Sequence, residues 1–230
     1  MNQAIAETEC RQLLAAALQE ADSGGDSDQL SAWEACVAHP CAPHVLPLEE
    51  VWPQIAELRR RAADWDGAIA AWERAIVAGY RSVPHPRANV AELLLSAGRW
   101  VEAADLYATL RAQCPGDVWL CVAAAWAYMR VDDHETALRW AGDGVELALA
   151  TGDPDELLGE LRTLRALSLR ALGRGVHDEL SQRMGSFVRP ESPPASLVRD
   201  YGDPAPQIEA CPYCGWEAPP AVAPTPLRSV

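Results

Sequence analysis

Three alanines recur in phase along this chain. Ala68, Ala103 and Ala137 stand 35 and 34 residues apart, and each follows a short turn: Ala63-Asp64-Trp65, Gly98-Arg99-Trp100 and Asp132-Asp133-His134. A spacing kept over three units restricts the fold to a stack of like supersecondary pieces, since one piece cannot bury its own apolar stripe. The piece is clearest at Arg87–Gly116. Val90, Ala91, Leu94 and Leu95 follow the helical period, the turn Ser96-Ala97-Gly98-Arg99 interrupts it, and Ala103, Ala104, Tyr107 and Leu110 resume it on the facing side. Small Ala91 and Ala103 let two backbones come close, and Cys114-Pro115-Gly116 stops the second helix.

The units can be compared with a 34-residue helix–turn–helix pattern, W-x2-L-G-x2-Y, then A-x3-F, then P. The first unit has Trp52, Ile55 and Ala56, then Ala68-x3-Trp72; the second has Val90, Ala91 and Leu94, then Ala103-x3-Tyr107 and Pro115. The third has Ala124, Ala125 and Tyr128, then Ala137, with Ala141 where the aromatic belongs. Over about residues 49–150 the chain resembles the tetratricopeptide repeat family. The resemblance implies an all-α, right-handed superhelical solenoid of helix–turn–helix repeats, with the first helix of each pair lining a concave groove.

The expected organisation is a worn helical hairpin over 1–48, repeats over 49–83, 84–117, 118–151 and 156–187, and a tail over 188–230. In the first segment a helix over 3–20 is broken at Ser23-Gly24-Gly25, and Asp26 or Ser27 caps a second helix near 28–38; Pro40, Pro43 and Pro47 predict an irregular connection. A long helix is expected over 156–172, followed by Gly173-Arg174-Gly175 and a helix in which Asp178 and Gln182 replace the crossing alanine and the aromatic. An end repeat has no neighbour to pack on, so it can turn polar outward. The tail holds ten of the 18 prolines and no helical period, which predicts disorder.

Composition excludes several functions. All 19 basic residues are arginine. A Walker-type phosphate loop and pyridoxal Schiff-base chemistry both need lysine. The lysine and asparagine carboxylate clamp of chaperone-binding repeat proteins is likewise unsupported, with Asn89 the one asparagine on these helices. Net charge is −14, of which residues 1–50, with nine acids and one arginine, carry −8. That disfavours nucleic acid, which needs many cationic phosphate contacts. No run of 18 apolar residues predicts a membrane span, and the N-terminus lacks a basic-then-apolar secretory pattern, so a cytoplasmic protein with reduced thiols is expected. Cys10, Cys114 and Cys121 read as small core residues. Abundant alanine, arginine and proline suggest a high-GC bacterial genome. No enzyme motif occurs, and no small-molecule substrate or cofactor is inferred.

The groove positions would be Glu57, Arg60 and Arg61, then Glu92, then Trp119, Trp126 and Arg130, then Arg170. Tryptophan and arginine commonly anchor interfaces, and arginine suits bidentate contact with a carboxylate. One reading is a groove for an extended peptide or partner helix of acidic or carboxyl-terminal character. The other is that the tryptophans pack on the next helix and the arginines pair with Glu57 and Glu92. A second candidate is Cys211-Pro212-Tyr213-Cys214-Gly215, which resembles the C-P-x-C-G knuckle of zinc ribbons and rubredoxins. A structural zinc needs four ligands. The nearest further donors are Cys36, His39, Cys41 and His44. They could complete the knuckle or bind metal together, giving a zinc adaptor that contacts nucleic acid or protein, or the cysteines could have no such role.

Overall fold

The computed structural model describes residues 24–153 and 156–174, with single helical positions at 8, 11, 12, 15 and 19. All regular structure among the described residues is α-helical. They form two compact units, one through Arg81 and one from Ser82.

The unit through Arg81 contains α1 (Asp26–Ala38), α2 (Ala42–Val45), α3 (Leu48–Arg61) and α4 (Trp65–Val77). Helix α1 begins two residues before the expected 28. Gly25 is its N-cap, and its N–H donates to the Asp28 carboxylate at 3.3 Å. The connection expected to be irregular contains one helical turn, α2, with proline at its start, where the missing N–H costs nothing. Cys36 is buried there against Cys41, Val45 and Leu46. Helix α3 packs on both α1 and α4.

The unit from Ser82 contains α5 (Arg87–Ser96), α6 (Trp100–Gln113), α7 (Val118–Arg130), α8 (His134–Thr151) and α9 (Leu158–Ala171). Helix α5 packs on α6, α7 on α8 and α8 on α9. Alternate helices also meet, α5 with α7 and α7 with α9. Contacts within each helix pair and between alternate helices are those of helical hairpins packed side by side.

One turn geometry closes four first helices. Ala63, Gly98, Asp132 and Gly173 have φ of +57°, +75°, +61° and +67°. The residue after each donates its N–H to the carbonyl five residues back: Asp64 to Arg59, Arg99 to Leu94, Asp133 to Tyr128 and Arg174 to Leu169, at 2.8–3.0 Å. This left-handed C-terminal turn satisfies carbonyls that the helix end would orphan. The next helix is then capped in two cases by an aspartate, Asp64 accepting from Gly67 N–H at 3.0 Å and Asp133 from Thr136 N–H at 3.1 Å.

The crossing alanines Ala68, Ala103 and Ala137 have no exposed surface. Trp72 and Tyr107 are buried one turn on. Where Ala141 replaces the aromatic, Trp140 puts its ring 5.7 Å from that of Tyr107. The third hairpin also has Gly144, where a Cβ would meet Leu161 Cδ2 at 2.5 Å and Cys121 Cβ at 2.8 Å. The missing side chain lets α8 sit close to both α7 and α9. Ala104, expected on the facing side of α6, is exposed; the buried stripe is Ala103, Tyr107 and Leu110, and Ala104 lies a helical step round from it. Cys114 and Cys121 are buried core thiols as expected, while Cys10 lies outside the described residues. Helix α9 spans 158–171 against the expected 156–172. The segment with Asp178 and Gln182 expected to be helical, the expected tail over 188–230 and most of the expected helix over 3–20 also lie outside the described residues.

Candidate functional site

The sequence-predicted groove residues form two groups, one in each unit. In the first unit Glu57 lies between two arginines of its own helix. Its carboxylate accepts from Arg60 Nε and Nη2 at 2.6 and 2.7 Å and from Arg61 Nε at 3.0 Å. These are the i+3 and i+4 partners that share a helix face. Burial pushes the Glu57 carboxyl up, but the two guanidiniums outweigh it and hold it below the ordinary glutamate value. Arg61 also reaches Asp26 at 3.5 Å. Beside them Arg59 links Glu34 of α1, at 2.6 Å, to Asp64 at 3.1 Å.

In the second unit the contacts join different helices. Arg130 of α7 is ion-paired with Glu92 of α5. Trp126, one turn earlier on α7, donates its indole N–H to Glu160 Oε1 of α9 at 2.9 Å. Asn89 and Glu92 of α5, Ala123, Trp126 and Arg130 of α7, and Pro84 and Ala88 line a cavity of about 100 Å³. The volume suits one side chain, not a strand of backbone. Trp119 and Trp126 are both half-buried against the α7–α9 core. Trp126 also faces the cavity, so it serves the core and the surface at once. Arg170 is exposed near the C-terminal end of α9.

These contacts follow the second sequence reading, that of paired arginines and packed tryptophans. The arginines do pair with Glu57 and Glu92, and the tryptophans do pack on neighbouring helices. Yet Glu92, Trp126 and Arg130 also converge on one cavity. Sequence reasoning missed Glu160. The signal for it was available, because Glu160 is 34 residues after Trp126, which is 34 residues after Glu92.

Two buried groups lie close to this face. The Tyr107 hydroxyl is buried without a hydrogen-bond partner; burial raises its pKa, with further influence from Glu92 and Arg130. His85, in the loop before α5, accepts the Arg87 N–H at Nδ1, 3.2 Å away. Burial, with the Arg87 charge, pushes it down to about 4, so the ring is neutral at neutral pH. Elsewhere in this unit, the Arg111 guanidinium touches Cys121 Sγ and sits 5.6 Å from the centre of the Trp140 ring. Burial nevertheless pushes the Cys121 thiol up to about 11, which keeps it protonated and a poor nucleophile.

The metal candidates do not assemble among the described residues. Cys36 is buried on α1, and desolvation raises its thiol pKa. His39 Nδ1 accepts the Cys41 N–H at 3.3 Å, while His44 is exposed. No group of three or more His, Cys, Asp or Glu side chains among the described residues is arranged to hold an ion. Cys211 and Cys214 lie outside them.

No protein-family model matches the chain, and no curated protein matches it. Among solved structures it is similar to one described as MamA RS-1 ArsTM double mutant. The likeness covers 79% of this chain and 97% of that one, at 15% identity and a TM-score of 0.43. Among the described residues no helix is long and apolar enough to cross a membrane.

Proposed function

We propose that this chain is a non-catalytic protein–protein interaction module: a right-handed array of tetratricopeptide-like repeats, working in the cytoplasm, that binds a peptide or helix of a partner protein along its first helices. The all-helical described residues, the repeated turn and the α5–α7–α9 contacts support the array. The observation that carries the binding reading is Trp126. It is half-buried, lines a side-chain-sized cavity, and is flanked by an Arg130–Glu92 pair on one side and Glu160 on the other. Tryptophan and arginine are among the residue types most enriched where protein interfaces concentrate their binding energy. The stripe Glu57, Arg60 and Arg61 on α3 holds the equivalent register one repeat earlier in the sequence, as a candidate contact of its own unit; Trp119 and Arg170 would add to the Trp126 contact on α7 and α9.

The test is an affinity pull-down comparing the wild-type chain with a Trp126→Ala, Arg130→Ala double variant, with circular dichroism to verify folding. The variant is expected to lose the partners that the wild type retains. Recovery of the same partners by both would place binding elsewhere.

A further inference from the structure

Arg130 on this face suggests an acidic partner, but its pairing reverses that charge argument. It holds Glu92. Its cationic head is already neutralised. Glu160 has no cationic partner among the described residues; its hydrogen bond comes from a neutral indole N–H. It is half-buried, and desolvation raises its carboxyl above the ordinary value, with the Trp126 bond opposing. A carboxylate that has lost water and gained one neutral donor is stabilised by an arriving cation. Arg170 does not serve it, being ten residues further along α9, about 15 Å of helical rise.

Geometry adds the rest. Glu92, Trp126 and Glu160 hold one register on three successive first helices, so the face presents carboxylate, indole and carboxylate in a row. On the Glu92 side of Trp126 lies the cavity, with Pro84, Ala88 and Ala123 as apolar walls. The buried Tyr107 hydroxyl, within electrostatic range of Glu92 and Arg130, has a hydrogen bond still to donate. A net charge of −14 draws basic partners and repels acidic ones before contact.

We propose that this face binds a basic segment of a partner protein. An arginine or lysine of that segment lays its stem across Trp126 and pairs its cationic head with Glu160, while a neighbouring apolar side chain enters the cavity. Tryptophan is the best aromatic acceptor for such a cation, and the long stems of both residues cover apolar surface. The proposal rests on the reading of this face as a binding surface.

A random 12-residue peptide library displayed on phage, selected on the purified full chain, tests it. Selected peptides are then synthesised with each arginine replaced by neutral citrulline, and titrated against wild type, Glu160→Gln and Trp126→Ala. Glu160→Gln keeps an acceptor for the indole and removes only the charge, so folding is not at stake. The expected result is enrichment of arginine or lysine beside an apolar residue. Glu160→Gln and the citrulline change should each weaken binding about tenfold, and the effect of either should vanish once the other is made. Added salt should weaken wild-type binding. Acidic or carboxyl-terminal selections, lost on Trp126→Ala but indifferent to Glu160→Gln, would overturn the basic partner and leave the binding face standing. Selections indifferent to both variants, or none at all, would overturn the face itself.

Discussion

Two glutamates one repeat apart make opposite uses of arginine. Glu57 takes both of its arginines, Arg60 and Arg61, from its own helix, and only the more distant Arg61–Asp26 contact at 3.5 Å reaches α1. Glu92 is held by Arg130 of another helix, and the matching position on α7 is a tryptophan bonded to the third helix, α9. The first arrangement draws its main pairs from one helix. The second spans three helices and leaves a cavity and a carboxylate without a cation. A repeat position can therefore be kept in phase while its chemistry moves from local support to a surface able to take a partner.

The strongest way to break the second arrangement is through its core. Leu161 is fully buried against Gly144, and Leu161→Ala should destabilise the unit from Ser82 by about 2–5 kcal/mol, measured by urea unfolding. The Trp126–Glu160 contact should weaken with it, seen as a change in tryptophan fluorescence. An unchanged midpoint would show that α9 is not held through this contact.

Acid should act next, on the unit from Ser82. His85 has a folded pKa lowered to about 4, so its contribution is complete above the unfolded value near 6.5 and is lost as pH falls from there towards 4. The whole effect is about 3 kcal/mol at most. His85→Asn should flatten that part of the stability profile. A profile in which wild type and variant run parallel between pH 6.5 and 4 would contradict the buried neutral ring.

A smaller pair of pH effects bears directly on the two arrangements. Glu57 is lowered, so its contribution is present above about 4.5 and disappears as pH falls through its folded value. Glu160 is raised, so its cost is present at neutral pH and is relieved as pH falls towards 4.5. Glu57→Gln should destabilise at pH 7 and Glu160→Gln should stabilise, each by under about 1 kcal/mol because the groups are part-exposed. Thermal melts at pH 7 and pH 4 give both signs. Like signs at pH 7 would remove the contrast.

An effect of comparable size concerns the shared turn. Ala63 adopts the left-handed conformation that Gly98 adopts without strain. Ala63→Gly should stabilise the first unit by about 1 kcal/mol. A loss of stability would mean that the Ala63 methyl makes a contact worth more than the strain.

Much of the helical layout was legible because helices and turns are local. Ala68, Ala103 and Ala137 set the phase, and the positive-φ positions Ala63, Gly98 and Asp132 fall at the expected turns, although Trp65, Trp100 and His134, expected as turn residues, already open the next helices. The exceptions came from packing choices one residue wide. Ala104 turned outward, Trp140 filled the place left by Ala141, and α2 formed where prolines suggested no helix. The candidate site was half legible. Its arginines and tryptophans were found by type, and Glu160 was not.

By itself the sequence determined the helices, their turns and their period, since each follows from side chains within a few residues of one another. Only the tertiary structure decided which charges are already paired. Arg130 and Glu92 are 38 residues apart, and Trp126 and Glu160 are 34 apart. A side chain is neutralised by what stands beside it in space, and on a stacked helix that neighbour is a whole repeat away in the chain.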